Sequence, residues 1–229
     1  MTYTYLLFDA DNTLFDFHAG EKNAFQKALA DFGFAETPED YPLYSAINDS
    51  LWKSLEKGTI TKDGIFATRF VRFLEETNRQ GDGAALNASY KAHLAEEALL
   101  LPNAEKLLQT LKARGFRLFL ITNGDRTVQN TRLTKSGLGQ YFEKVFISEE
   151  IGAAKPDTRF FDAVANAIDG FEKDKALVIG DSESSDILGA NRYGIDACHV
   201  TVSSPPLSSA VYAKYTVDNL LDIINLVSE

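Results

Sequence analysis

Seven polar side chains of chemically useful types follow short apolar segments of the sequence. They comprise four aspartates, a threonine hydroxyl, an asparagine amide and a lysine amine. Carboxylates bind hard divalent cations and can act as nucleophiles or carry protons, whereas hydroxyl, amide and ammonium groups donate hydrogen bonds to anions. These types suit metal-assisted, nucleophilic or acid–base chemistry, provided that the fold brings them together. In chain order, the side chains are Asp9, Asp11, Thr122, Asn123, Lys155, Asp181 and Asp186.

The apolar segments that precede these residues are typical of buried strands in a parallel sheet. Helical patterns separate most of them, and Pro102 and Pro156 predict helix starts, whereas Gly115 and Gly194 predict helix ends. Alternating strands and helices predict an α/β fold with a parallel sheet. The predicted strands cover residues 5–8, 118–121, 145–147, 176–179 and 198–202, with a weaker one at 215–217.

Parallel α/β sheets bind ligands beyond the carboxyl ends of their strands, where these polar residues fall. Each residue also has a simpler interpretation, because an aspartate can cap a helix or form a turn and a lysine such as Lys155 is usually solvated. Asp186 precedes Ile187 and predicts a helix N-cap. Turn chemistry alone rarely places acid, hydroxyl, amine and acid after four strands, so the joint pattern favours one shared crevice.

Residues 17–97 contain no convincing strand and follow helical periodicity instead. Apolar side chains recur at helical spacing from residue 24 to residue 32, and further helices are predicted over about 44–55, 66–74 and 86–99. Glycines separate these helices. The pattern predicts an all-helical insert directly after the first strand, between the two parts of an α/β core.

Composition and charge exclude several classes of protein. The 229 residues carry a net charge of -10 with no basic stripe, which argues against a binder of nucleic-acid polymers. No segment approaches the roughly 20 apolar residues of a membrane span, and the N-terminus lacks the cationic start of a signal peptide. The single cysteine, Cys198, excludes an intrachain disulfide and fits a reducing compartment. We therefore expect a cytoplasmic protein that does not contact a membrane.

Four segments of the sequence resemble the four signatures of the haloacid dehalogenase superfamily, in the same order. They cover the catalytic core, and the helical insert is similar to the helical type of cap found in that superfamily. The resemblance implies a Rossmann-like three-layer α/β core at 1–16 and 98–229, with an all-α cap at 17–97. The four segments are FDADNTL at 8–14, LITNG at 120–124, AKPD at 154–157 and GDSESSD at 180–186.

The resemblance further implies a phosphatase that forms a covalent intermediate. The position of Asp9 matches the nucleophile, which would become an aspartyl phosphate. Asp11 matches the general acid and base, and its presence separates phosphatases from the dehalogenase branch. Thr122, Asn123 and Lys155 match the residues that hold the phosphate oxygens, through side chains or backbone N–H groups.

A divalent cation is expected from the same resemblance and from charge. Four aspartates against one lysine would repel a phosphate dianion, and Mg²⁺ with hard oxygen ligands would remove that difficulty. The superfamily pattern implies that Asp9, the backbone carbonyl of Asp11 and Asp181 bind the metal. Asp186 would support the site through water or from the surrounding shell.

Substrate choice is expected to lie in the insert. The stretch FDADNTLFDF at 8–17, together with residues 48–52 and 147–152, is similar to nucleotidases that act on pyrimidine nucleoside monophosphates. Phe17 and Trp52 are candidates to stack on a base, although both could equally belong to the packing of the insert. Asn48 could read the edge of a base or simply solvate a helix face. A sugar-phosphate or phosphoglycolate phosphatase, a phosphoglucomutase and a non-catalytic phospho-ligand binder remain alternatives. The partner would be a small phosphate monoester, bound by a monomer or a homodimer.

Overall fold

A six-stranded parallel sheet forms the centre of the larger of two compact units. The computed structural model describes residues 3–202 and 206–228. All neighbouring strands are parallel, in the order β3-β2-β1-β4-β5-β6. Every predicted strand is confirmed to within two residues. The strands are β1 (Tyr5–Phe8), β2 (Arg117–Thr122), β3 (Lys144–Ile147), β4 (Ala176–Gly180), β5 (Asp196–Val200) and β6 (Tyr215–Val217).

Among the described residues, five helices follow β1 before the next strand, and helices separate most of the later strands. In chain order they are α1 (Phe17–Asp31), α2 (Asp40–Glu56), α3 (Lys62–Glu76), α4 (Gly83–Glu96), α5 (Ala104–Ala113), α6 (Arg126–Ser136), α7 (Ser148–Ile151), α8 (Thr158–Asn166), α9 (Leu188–Tyr193) and α10 (Asp222–Leu226). A π-helical turn, Glu183–Ile187, precedes α9.

Several helix starts differ from the sequence-based expectation, and α2 and α3 each begin about four residues before the predicted position. Helix α5 begins two residues after Pro102, and α8 two residues after Pro156, rather than at the prolines. For α8 the reason is its cap, since the Asp157 carboxylate accepts a hydrogen bond from the Arg159 N–H at 2.9 Å. Helix α4 begins and ends three residues earlier than predicted, because Asp82 caps its first turn.

The sheet is buried on both faces, which gives the larger unit three layers. Along β1, Leu6 and Phe8 enter one apolar layer while Tyr5 and Leu7 enter the other. Helices α5, α6 and α10 contribute side chains to the first layer, and α8 and α9 contribute to the second. The predicted α/β architecture is confirmed. Because β1 lies between β2 and β4, the crossover direction reverses beside it, and ligands bind at such a reversal.

The smaller unit is all helical. The chain divides into one unit made of Met1–Phe17 and Ala98–Glu229 and another made of His18–Glu97. The second unit contains α2, α3, α4 and nearly all of α1, packed around closely spaced aromatic rings. The rings of Phe25 and Tyr44 lie 4.7 Å apart, and those of Tyr44 and Phe70 lie 4.8 Å apart. None of the helices in the described ranges has the combined length and apolar character needed to cross a membrane.

Candidate active site

A buried lysine forms hydrogen bonds with two aspartates, which follow β1 and β4, and with a backbone carbonyl near the end of β2. The Lys155 Nζ donates hydrogen bonds to Asp9 Oδ1 (2.6 Å), to Asp186 Oδ1 (2.7 Å) and to the Ile121 carbonyl (2.9 Å). Asp9 follows β1 directly, and its N–H still pairs with the Ile179 carbonyl of β4 at 2.8 Å, so the strand geometry holds the nucleophile candidate in place. The expected crevice is therefore at the carboxyl ends of β1, β2 and β4.

Three carboxylates form a cluster that could hold a metal ion. Each of Asp9, Asp181 and Asp186 offers an oxygen, and these oxygens all lie within 4.8 Å of one another. The Asp181 backbone is anchored separately, because its carbonyl accepts a hydrogen bond from His199 Nε2 at 3.0 Å. Carboxylate oxygens at this spacing are the ligands that hard divalent cations require.

Electrostatics within the cluster oppose ionisation of Asp9. Burial raises the pKa of Asp9 well above its ordinary value, the Lys155 ammonium partly offsets this, and the charges of Asp186, Asp181 and Asp11 raise the pKa further. A nucleophilic carboxylate must be ionised. A divalent cation at the carboxylates would favour the ionised form of Asp9.

Lys155 is held as a cation and is fully engaged. Burial lowers the pKa of Lys155, but the charges of Asp186 and Asp9 outweigh burial and raise the pKa above the ordinary lysine value. An ammonium group has three protons, and all three point at the acceptors named above. A phosphate oxygen that binds Lys155 directly must therefore replace one of those acceptors.

Asp186 does not cap a helix, which corrects the N-cap prediction. Its carboxylate accepts hydrogen bonds from Lys155 and from the Ser182 N–H (3.1 Å), and Ser182 caps the π-helical turn instead. The carboxylate lies against the end of β4, where a side chain on Gly180 would come within 2.3 Å of Asp186 Oδ2. Glycine at the end of β4 is thus required by the buried position of Asp186.

Thr122 and Asn123 are anchored in different ways. The Thr122 hydroxyl accepts hydrogen bonds from the Gly124 N–H (3.0 Å) and from Gln129 Nε2 (3.1 Å), so its own proton can be donated to a ligand. The Asn123 amide pairs with the backbone of Lys155 in both directions at 2.9 Å. Asn123 therefore ties the loop after β2 to the segment that carries the lysine.

The three residues proposed for substrate choice have different environments. Asn48 is buried inside the helical unit, where its amide donates to Glu21 Oε1 (2.8 Å) and accepts from Arg69 Nη1 (3.2 Å). Trp52 lies one turn further along α2 and is half-buried. Phe17 is half-buried at the start of α1. The amide of Asn48 is thus occupied by its own unit, whereas the two aromatic rings are partly exposed.

A family model described as haloacid dehalogenase-like hydrolase matches residues 3–194. The chain belongs to this family. The expectation from the four sequence segments is thereby confirmed, and the protein is an enzyme of the hydrolase class.

Named relatives of this haloacid dehalogenase-like hydrolase match along nearly its whole length. The pyrimidine 5'-nucleotidase PynA of Streptococcus pneumoniae is 37% identical over 228 residues, covering 98% of this chain and 96% of its own. The pyrimidine 5'-nucleotidase YjjG of Escherichia coli is 31% identical, covering 99% of each chain. The crystal structure of the putative hydrolase YfnB from Bacillus subtilis, bound to magnesium, is 33% identical and superimposes with a TM-score of 0.94 over 100% of both chains.

Two residues of this haloacid dehalogenase-like hydrolase were not expected from the sequence. Gln129 and Arg132 of α6 are each 1% exposed, and both donate hydrogen bonds to the Asp11 carboxylate. The available signal is their spacing of three residues on a helix that follows a strand carrying site residues. A glutamine and an arginine at such positions usually face solvent, so sequence reasoning passed over them.

Proposed function

We propose that the chain is a Mg²⁺-dependent phosphatase that hydrolyses nucleoside 5'-monophosphates, with pyrimidine nucleotides as preferred substrates. The observation that carries the proposal is the convergence of Asp9, Lys155, Asp181 and Asp186 at the carboxyl ends of the central strands. The names of the two nucleotidase relatives support the substrate class.

The residues present fit a divalent cation. The carboxylates of Asp9 and Asp181 and the backbone carbonyl of Asp11 would hold Mg²⁺, with Asp186 supporting the site. Their oxygens are hard ligands, and the three carboxylates of the cluster face the single ammonium group of Lys155. When bound, the ion supplies charge that offsets the carboxylates and the phosphate dianion. The magnesium-bound YfnB structure is consistent with this assignment.

Asp9 and Asp11 divide the chemistry between them. Asp9 attacks phosphorus, so that a bond forms from its carboxylate oxygen to phosphorus while the bond to the nucleoside oxygen breaks. Asp11 gives its proton to that leaving oxygen, then takes a proton from the water that attacks the aspartyl phosphate. The second step restores the Asp9 carboxylate, and the products are the nucleoside and inorganic phosphate.

Donors around the crevice orient the phosphate. Thr122 donates its hydroxyl proton to one phosphate oxygen, and its position is set by the Gly124 and Gln129 donors. Lys155 keeps its positive charge throughout, because its two carboxylate partners favour the ammonium form. Loss of one such preorganised donor typically costs about 10²–10³ in kcat.

The test is phosphate release by the purified protein, with and without Mg²⁺, from UMP, dUMP, dTMP and a set of sugar phosphates. Release should stop with EDTA and return with Mg²⁺. Asp9→Asn should lower kcat by more than about 10³-fold, because loss of the nucleophile should cost more in kcat than loss of a single preorganised donor. The matched control is Asp157→Asn, which makes the same charge change outside the carboxylate cluster and retains a capping residue at α8.

Each outcome has a distinct meaning. Turnover by Asp9→Asn at the wild-type rate would refute the nucleophile assignment. If sugar phosphates exceed the three nucleotides in kcat/KM, the nucleotidase assignment fails and the phosphatase assignment stands. If the wild-type protein with Mg²⁺ releases phosphate from no monoester, the catalytic proposal as a whole fails.

A further inference from the structure

Helix α6 carries a buried pair of side chains that reaches Asp11. Gln129 and Arg132 lie three residues apart on one face of this helix, and each is only 1% exposed. The Asp11 side chain is 28% exposed, so it contacts the pair on its inner side and remains accessible from outside. A group that must meet a leaving oxygen needs such an accessible side.

The pair grips the two oxygens of Asp11 separately. Gln129 Nε2 donates to Asp11 Oδ2 at 2.7 Å, and Arg132 Nη1 donates to Asp11 Oδ1. Arg132 Nη1 also donates to Gln129 Oε1 at 3.3 Å, so the two residues orient each other. With one donor on each oxygen, rotation of the carboxyl group about its last torsion breaks at least one hydrogen bond.

Two further residues, Gly124 and Phe15, support this arrangement. A side chain on Gly124 would come within 2.4 Å of Gln129 Nε2, so a larger residue there would displace the amide from its place over the loop after β2. The Arg132 guanidinium lies 4.2 Å from the centre of the Phe15 ring, which gives the buried cation a second favourable contact. Burial of a glutamine and an arginine is costly unless both are paired, and here Asp11 is a partner of each.

We propose that Gln129 and Arg132 are positioning residues that fix the direction of the Asp11 carboxyl group for proton transfer to the leaving oxygen. The inference rests on the proposed function, in which Asp11 is the general acid and base. Proton transfer requires hydrogen-bond reach and alignment between the carboxyl group and the leaving oxygen. A carboxyl group held at both oxygens retains that alignment without any movement of the helix.

The dependence of rate on the leaving group tests the proposal. A nucleoside alkoxide is a poor leaving group and needs a proton, whereas 4-nitrophenolate leaves without one, so a general acid accelerates only the first reaction strongly. The measured quantity is kcat/KM, because it includes phosphoryl transfer to Asp9 and excludes the later hydrolysis of the aspartyl phosphate. The substrates are UMP and 4-nitrophenyl phosphate, both with Mg²⁺.

Gln129→Met is the first variant, since methionine has similar length and no donor. We expect its kcat/KM to fall by about 10- to 100-fold on UMP and by less than about threefold on 4-nitrophenyl phosphate. The loss on UMP does not exceed the about 10²–10⁴ that general acid catalysis contributes, because the variant misaligns the acid without removing it. Arg132→Lys should retain more activity on UMP than Arg132→Met, because the lysine keeps a cationic donor. Should the Arg132 variants fail to fold, Gln129→Met alone carries the test.

Gln129 also donates a hydrogen bond to Thr122, so Thr122→Val is the control for effects that act through Thr122 and not through Asp11. It removes a hydroxyl that contacts phosphate, so it should lower kcat/KM by similar factors on both substrates. A double-mutant cycle adds a second readout. When Asp11→Asn is already present, adding Gln129→Met should lower kcat/KM on UMP by less than about a further twofold, because the effect of Gln129 acts through Asp11.

Equal losses on the two substrates, no loss on UMP, or additive losses in the cycle would each overturn the proposal. In those cases the wild-type enzyme is active and only this inference fails. If the wild-type protein releases phosphate from neither substrate, the proposed function fails and the inference falls with it.

Discussion

Glu21 of α1 makes the stability of the helical unit depend on pH. Its carboxylate is 1% exposed and accepts hydrogen bonds from Asn48 Nδ2 (2.8 Å) and from the Tyr41 hydroxyl (3.1 Å). Burial raises the pKa of Glu21 from 4.5 to about 7, the charge of Asp49 adds to this, and the two hydrogen bonds and the Arg69 charge oppose it. The perturbation that isolates this group is Glu21→Gln, which keeps the shape and cannot ionise.

The magnitude follows from the shift in pKa. In the unfolded chain Glu21 loses its proton above pH 4.5, whereas the folded protein keeps it until about pH 7, so the free energy of unfolding falls as pH rises between these values. At about 1.4 kcal/mol per pKa unit, the whole loss is about 3 kcal/mol, of which about 2 kcal/mol lies between pH 5.5 and pH 8.5. Glu21→Gln does not undergo this loss.

The assay is urea unfolding at pH 5.5 and pH 8.5, followed by fluorescence of Trp52. This residue is the only tryptophan of the chain and lies in the helical unit, so it reports that unit even if the two units unfold separately. The unfolding free energy of Glu21→Gln minus that of the wild type should rise by about 2 kcal/mol from pH 5.5 to pH 8.5. The exposed Glu75→Gln is the control and should give no such rise. A difference for Glu21→Gln that is the same at both pH values would refute the reasoning.

Three further predictions concern the larger unit. Gly124→Ala should lower kcat/KM on UMP at least about tenfold by displacing Gln129, whereas Gly139→Ala, whose added carbon would meet nothing closer than 3.7 Å, should retain wild-type kinetics; equal rates would contradict the assigned clash. Lys155→Met should lower the free energy of unfolding, measured by urea unfolding, by about 3–5 kcal/mol, because it leaves two buried carboxylates without their cation. Unchanged stability would contradict this prediction. Burial raises the pKa of the Cys198 thiol to about 12, so the folded protein should react with DTNB far more slowly than the unfolded protein. Over an equal reaction time of minutes, DTNB should label one thiol in urea and none without urea, whereas rapid labelling without urea would show that the thiol is accessible.

The strands and the groups at their ends could be predicted from the sequence because both depend on short, local patterns. An apolar run buried on both faces identifies a parallel strand, and the parallel arrangement then requires the residues after different strands to meet at one edge. Asp9 and Lys155 are 146 positions apart and lie 2.6 Å apart at that edge. The N-cap prediction for Asp186 is wrong because a capping aspartate and a buried one have the same local sequence. Only the ammonium group of Lys155, which is distant in the sequence, distinguishes the two roles.

The buried pair on α6 escaped prediction because it contradicts the usual meaning of its residue types. Helix α6 buries only two apolar side chains, Val128 and Leu133, yet it packs within the larger unit. A helix that packs with so few apolar side chains must bury polar residues, and a buried arginine needs hydrogen-bond acceptors, of which a carboxylate also neutralises its charge. Near the carboxyl ends of β1 and β2, the acid that follows β1 by three residues is Asp11. A weakly apolar helix directly after a strand that carries site residues is therefore itself a signal that the helix orients a side chain of the site.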